Sequence, residues 1–168
     1  MFRIAHGINF RPLALFIFTA AFACTGIVFG TYSNFGLAVS AKAAPTPEKA
    51  SYGGYKGVMI GLSADEARKK LGNPKDKSDT QDFFVFSDNE SAQIYYDTTK
   101  NVSLVSVNYI GKVDGIPSPK EVFGEDVAAK EDGSVFKMVR YPKAGYWISY
   151  NKTAGDDPIV TITVQRLQ

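Results

Sequence analysis

Acidic residues that could take part in acid–base catalysis occur as three neighbouring pairs, Glu125-Asp126, Glu131-Asp132 and Asp156-Asp157. General acid/base catalysis needs two carboxylates that face each other across a cleft and differ in pKa. Neighbouring residues in a loop point apart, and the last two pairs adjoin a glycine or a proline, which is typical of turns. We therefore interpret all three pairs as solvated loops, and a hydrolase that uses them is kept as an alternative function.

The residue types that most often build nucleophilic or metal sites occur only near the start of the chain. The single cysteine is Cys24 and the single histidine is His6. From Ala44 onward there is neither, which excludes from that part a disulfide, a zinc site of the usual Cys/His type and a histidine-based triad. The alternating acids of a calcium loop do not occur either. The sequence predicts no catalytic residue, no metal and no cofactor, and so no enzyme.

The charge of the chain indicates no nucleic-acid partner. There are 19 basic and 17 acidic residues, a net charge of +2. Removal of Arg3, Arg11 and Lys42 with an N-terminal segment would leave 16 basic residues (19 − 3) and a net charge near −1 (16 − 17). The densest basic cluster, Arg68-Lys69-Lys70, suits either an anionic partner or the negative end of a helix dipole.

An aromatic cluster is the best candidate for binding another protein. Tyrosine and tryptophan are frequent at the energetically important positions of interfaces, and Tyr141, Tyr146, Trp147 and Tyr150 lie close together. In a strand, Trp147 points to the opposite face from Tyr146 and Tyr150. If helices cover one face, at least one large aromatic residue lies at the surface. The set therefore predicts a partner-binding site, with half-buried structural tyrosines as the alternative.

A short helix with both ends marked precedes the strands that must position this cluster. Ser63 and Glu66 form an S-x-x-E capping box. Ala67 and Leu71 belong to its apolar side, and Gly72 predicts a left-handed stop, after which a proline forbids continuation. Alternating or β-branched runs then predict strands at Gln81–Ser87, Ala92–Tyr96, Val102–Ile110, Val135–Tyr141, Tyr146–Tyr150 and Ile159–Leu167.

The two halves of the chain align without a gap at an offset of 55 residues (118 − 63). Ser63 and Glu66 fall on Ser118 and Glu121, a second capping box, and the long strands keep the same phase. The sequence therefore predicts an α+β fold of two tandem α-β-β-β repeats that form one curved antiparallel sheet with helices on one face. Each repeat is too small to be stable alone. The repeats are residues 56–112 and 113–168.

The N-terminal part resembles an export segment. Arg3 and Arg11 precede an uncharged apolar run from Leu13 to Gly30, the pattern of a signal peptide or an uncleaved anchor, assigned here to residues 1–37. We expect an exported protein of the periplasm or cell envelope, either secreted or held in the membrane. Cys24 is either a lipidated cysteine or a small apolar residue of the run. Residues 38–55, rich in Ala, Pro, Ser and Gly, are interpreted as a flexible linker.

A G-L-S-x-x-E-x-x-x-x-L-G-x-P element followed by three strands resembles the SmpA/OmlA (BamE-like) envelope lipoproteins. The matching residues are Gly61, Leu62, Ser63, Glu66, Leu71, Gly72 and Pro74. Doubling of the unit resembles the β-lactamase inhibitory protein fold, in which tandem repeats build one curved sheet. These resemblances imply a non-enzymatic protein-binding module of the bacterial envelope, such as an assembly factor. The alternatives are a secreted enzyme inhibitor and an envelope hydrolase.

Overall fold

The structure, a computed structural model, describes residues 48–111 and 114–168. The expected export segment, Cys24 and the first part of the predicted linker lie outside the described residues. Within the described part, the fold is mixed α+β with one antiparallel sheet and few helices, which confirms the predicted fold class at that level. None of the described helices has the length and apolar character needed to cross a membrane.

Two α-helices and seven strands make up the described fold. The helices are α1 (Ala64–Leu71) and α2 (Pro119–Phe123), and a 3-10 turn covers Pro142–Ala144. The strands are β1 (Asp76–Lys77), β2 (Gln81–Ser87), β3 (Glu90–Tyr96), β4 (Val102–Ile110), β5 (Val135–Tyr141), β6 (Tyr146–Lys152) and β7 (Ile159–Arg166). All six predicted strands are present. The short strand β1 was not predicted, because its two polar residues carry no strand pattern.

All strands form one sheet in the order β1-β2-β3-β4-β7-β6-β5, with every neighbouring pair antiparallel. The last strand of the chain therefore lies in the middle. It pairs with β4 through seven residue pairs, from Leu104 opposite Gln165 to Ile110 opposite Ile159. Strands from the first half of the chain lie on one side of the β4–β7 pair, and strands from the second half lie on the other. Strands β1 and β5 are the two edges.

The two faces of the sheet differ in burial, as the alternation in β4 and β7 predicts. On the buried face, alternate side chains form the hydrophobic core. Its central residues, at most 1 % exposed, are Ile94, Val105, Val107, Ile148, Ile162 and Val164. The side chains between them point to the other side, which we call the open face. Ser106 and Thr163 lie there, opposite each other on β4 and β7.

Both helices contribute to the buried side. Ala67 and Leu71 of α1 and Val122 of α2 are buried in the same core cluster as the sheet. Arg68 of α1 bonds to Asp82, which alternates with the open-face residues of β2 and therefore points to the buried face. The open face thus lies on the side of the sheet opposite the described helices.

Local sequence explains where the helices begin and end. Ser63 and Glu66 form one reciprocal capping box, and Ser118 and Glu121 form the other. Gly72 ends α1 with φ 88° and ψ −156°, so its φ is positive, as expected for glycine, but the residue is not in the left-handed helical region.

The segment before α1 is fixed to the sheet. Gly61 donates its backbone N–H to Val102, and Val102 donates to Leu62. These bonds place the G-L-S element at the start of β4, while Pro74 lies just before β1. The element therefore positions α1 against the sheet.

The end of the predicted linker is packed rather than flexible. Ala50, Tyr52 and Tyr55 are buried in the core, and Tyr52 donates its N–H to the carbonyl of Val122. Gly54, interpreted from the sequence as a source of flexibility, is needed for close packing. It has φ +97°, and a Cβ there would lie 2.4 Å from the carbonyl oxygen of Val58. The domain thus begins before residue 56, because aromatic side chains in a Gly-rich segment complete the core.

Candidate functional site

The open face collects the large apolar side chains that the fold leaves exposed. Six such residues are exposed in the described part of the chain, and strand alternation places all of them on this face. They are Val85, Tyr95, Ile110, Phe136, Met138 and Ile159. A surface that gathers exposed apolar groups on one side is a candidate interaction site.

The pairing register arranges the open face in three rows that run across six strands. The rows are Gln81-Tyr95-Leu104-Gln165-Trp147-Arg140, Phe83-Gln93-Ser106-Thr163-Ser149-Met138 and Val85-Ser91-Asn108-Thr161-Asn151-Phe136. Arg140 is the only charged residue in these rows. These six strands therefore give the face a single charge, and Asp76 of β1, opposite Phe83, adds one more at the edge. In the second and third rows, hydroxyl and amide groups lie in the centre and apolar groups lie at both ends.

The polar groups in the centre bond across the strands. The hydroxyls of Ser106 and Thr163 lie 3.2 Å apart, and Thr161 donates to the Asn108 side-chain oxygen at 2.8 Å. These pairs satisfy part of the hydrogen-bonding capacity of the face within the sheet itself. A partner that covers them therefore leaves fewer polar groups without a bond.

Two cavities lie along the first row, beside the C-terminal residues. A cavity of about 460 Å³ is lined by Tyr95, Leu104 and residues 166–168. A smaller one of about 240 Å³ lies on the other side of the same segment, beside Arg140 and Trp147. The half-buried indole of Trp147 thus borders a concave part of the open face that is partly open to solvent.

An ion pair fixes the C-terminal strand at this end. Arg166 lies 2.5 Å from Asp97, measured from Nη1 to Oδ2. The Thr99 hydroxyl, the backbone N–H of Asn101 and the guanidinium together hold the pKa of Asp97 below its ordinary value. Asp97 therefore stays ionised, and the pair holds the wall of the larger cavity in place.

The structure separates the four aromatic residues of the predicted binding cluster. Tyr141, Tyr146 and Tyr150 are buried in the core, so they do not reach the open face. Tyr141 and Tyr146 pack with ring centroids 5.5 Å apart, and their hydroxyls have no hydrogen-bond partner among the described residues. Burial raises the pKa of Tyr141 and of Tyr150. Trp147 alone of the four lies on the open face, because the helices cover the side to which the tyrosines point.

All three pairs of acids are exposed, as the loop interpretation predicts. Glu125 lies 2.5 Å from the ammonium of Lys137, whereas its neighbour Asp126 lies 3.7 Å from Lys120. The two carboxylates of this pair thus bind different lysines. In the described part of the chain, no cluster of three or more acidic, cysteine or histidine side chains is placed to hold a metal ion.

A buried charge network joins α1 to the sheet, and the sequence analysis does not predict it. Asp82 is fully buried in β2, and Arg68 reaches it from α1 with Nε 2.7 Å from Oδ2 and Nη2 3.1 Å from Oδ1. The Tyr96 hydroxyl donates to the same carboxylate at 2.7 Å. Arg68 is therefore a structural residue rather than part of a free basic surface, while Lys69 and Lys70 stay exposed. The available signal was an acid in phase with the buried residues of an apolar strand.

Comparisons of the chain with known protein families, with curated proteins and with solved structures find no match.

Proposed function

We propose that this chain is a non-enzymatic protein-binding module of the bacterial cell envelope and that it holds its partner on the open face. The observation that carries the proposal is the placement of all six exposed large apolar residues on one nearly uncharged side of the sheet. The centres of protein interfaces are depleted in charge and enriched in aromatic residues, methionine and arginine. Phe136, Met138, Arg140 and Trp147 form such a group on neighbouring strands.

Two features support the finer proposal that the domain consists of tandem repeats. The strand order is symmetric about the β4–β7 pair, since β2-β3-β4 on one side corresponds to β5-β6-β7 on the other. Each set of three strands is also preceded by a helix with a capping box, at Ser63 and at Ser118. This arrangement agrees with the resemblance to SmpA/OmlA proteins and the β-lactamase inhibitory protein fold, on which the envelope role rests.

The binding proposal predicts that Trp147→Ala loses the partner while the domain stays folded. Truncation of an aromatic residue at the centre of an interface typically costs about 2 kcal/mol or more, roughly thirtyfold in affinity. Crosslinking in the native host identifies the captured protein, and titration calorimetry with that protein then measures the loss. Circular dichroism reports the fold, and Asp156→Ala, in the exposed loop between β6 and β7, is the control.

A second variant keeps the test of the open face decisive. If Trp147→Ala unfolds the domain, Phe136→Ser repeats the test at a residue that is 57 % exposed. If Trp147→Ala folds and neither variant weakens capture, the partner binds elsewhere. A captured enzyme whose turnover falls saturably with added domain would assign the inhibitor alternative.

Export is expected from the Arg-flanked apolar run at Leu13–Gly30. A reporter enzyme that is active only outside the cytoplasm, fused after Gln168, should be active in a bacterial host. Deletion of Leu13–Gly30 from the same fusion is the control and should abolish that activity. Activity of a cytoplasm-only reporter in the full-length fusion would contradict the envelope location.

A further inference from the structure

The two edges of the sheet differ in length and character. At one edge, β1 consists of only two residues, the charged pair Asp76 and Lys77. At the other edge, β5 has seven residues and pairs with β6 residue for residue without a register shift. No backbone hydrogen bond joins the outer side of β5 to another residue of the described ranges. Exposed edges are usually kept short, charged or bulged because they can pair with another chain. The β5 edge is long and regular.

The side chains of β5 do little to protect this edge. Phe136 and Met138 are 57 % and 51 % exposed, more than any other large apolar residue in the described part of the chain. An inward-pointing lysine often blocks edge pairing, and Lys137 occupies that position. However, its ammonium is bound by Glu125 and lies 5.5 Å from the centroid of the Phe123 ring. The ammonium is therefore bound by groups of its own domain, and it opposes an approaching strand mainly where it would meet a second Lys137.

We propose that β5 pairs antiparallel with β5 of a second copy of this chain, with the two-fold axis at Met138. In this register Met138 lies opposite itself, and Phe136 lies opposite the partner's Arg140, an arrangement that suits a cation–π contact. On the buried side, Lys137 lies opposite the partner's Val139. No like charges lie directly opposite each other, and every residue of the strand finds an opposite residue.

The two neighbouring pairing registers, with the two-fold axis at Lys137 or at Val139, are less favourable. Centring the pair on Lys137 places two lysines directly opposite each other, which is destabilising. Centring it on Val139 places Phe136 opposite the partner's Pro142, which has no N–H for the ladder. Self-complementarity in one register is the observation that favours a second copy over an unrelated peptide.

The dimer would be isologous, with the same residues on both sides. Because paired residues of antiparallel strands point to the same face, the two open faces would form one surface on a sheet of fourteen strands (7 + 7). This inference goes beyond the proposed function, since it concerns the backbone edge and needs no captured partner.

Disulfide trapping tests the register in the full-length chain with Cys24→Ser as background. Directly opposite Cα atoms of antiparallel strands are about 4.5–5.5 Å apart, which a disulfide can bridge. Met138→Cys should therefore give a covalent dimer on mild oxidation, seen by non-reducing electrophoresis. In the same register the two copies of residue 136 are offset by four positions, about 13 Å. Phe136→Cys, equally exposed on the same strand, should stay monomeric, as should Val85→Cys on β2.

Light scattering supplies the independent measurement. The unmodified chain should have the mass of a dimer. Met138→Lys sets two ammonium groups opposite each other and should have the mass of a monomer. Its circular dichroism spectrum should be unchanged. Equal crosslinking of the three cysteine variants would overturn the proposal, as would a monomeric unmodified chain. So would amide protons of β5 that stay protected from exchange in monomeric Met138→Lys, because another segment of the same chain would then cover the edge.

Discussion

Replacement of Arg68 by alanine is expected to destabilise the domain by about 3–5 kcal/mol, because it leaves a fully buried carboxylate without its counter-ion. Asp82 is 0 % exposed, and its two oxygens accept from the guanidinium and from the Tyr96 hydroxyl. A small domain has about 5–15 kcal/mol of stability in total. Loss of this one side chain should therefore remove a large part of the stability, although the residue lies on a helix surface.

Urea unfolding followed by circular dichroism measures the effect. Lys69→Ala, on the exposed side of the same helix, is the matched control and should change stability by no more than about 0.5 kcal/mol. The triple variant Arg68→Met/Asp82→Leu/Tyr96→Phe should recover much of the loss, because apolar residues of similar size can replace a buried ion pair at little cost and no hydroxyl is left without its acceptor. Equal midpoints for Arg68→Ala and Lys69→Ala would mean that Asp82 does not depend on Arg68.

The second large effect is expected for a fragment that contains only the first half of the sheet. A polypeptide of residues 51–112 lacks β7, so Val105, Val107 and Tyr109 lose the apolar residues opposite them. We expect this fragment to show no cooperative unfolding, since its central strand becomes an edge and its core is open to water.

Thermal and urea unfolding of the fragment should be compared with those of residues 48–168, which should unfold in one sharp transition. An independent sharp transition for residues 51–112 would show that the two halves are autonomous domains. Coincident transitions for the longer polypeptide by circular dichroism and tryptophan fluorescence would support a single cooperative unit, since Trp147 reports on the second half alone.

The strands could be predicted well because each carries its own pattern. The bounds of β2, β4 and β5 agree with the sequence prediction, since β-branched and aromatic residues fill them and turn residues flank them. In β4 and β7 the alternation also identified the buried face. Both capping boxes are local as well, because their bonds join residues three positions apart. Local signals of this kind do not depend on the rest of the fold.

Features set by distant contacts could not be predicted in the same way. Strand phase showed that Trp147 points away from Tyr146 and Tyr150, but the position of the helices decides which face is buried. The ion pair of Arg68 and Asp82 joins residues 14 positions apart, and no local rule pairs them. The core role of Tyr52 depends on its bond to a residue 70 positions later, Val122 (122 − 52). The open face is therefore defined by contacts between distant residues and not by local sequence.

The central place of β7 has a consequence for the order of folding during synthesis. Strand β4 cannot gain its second neighbour until residues 159–166, the last strand of the described sheet in chain order, have left the ribosome. Closing a sheet through pairs so far apart in sequence is slow. The sheet would therefore stay open along β4 until its last strand has been made. A stop codon in place of Ile159, which removes β7, would accordingly be as damaging as one placed in the middle of the domain.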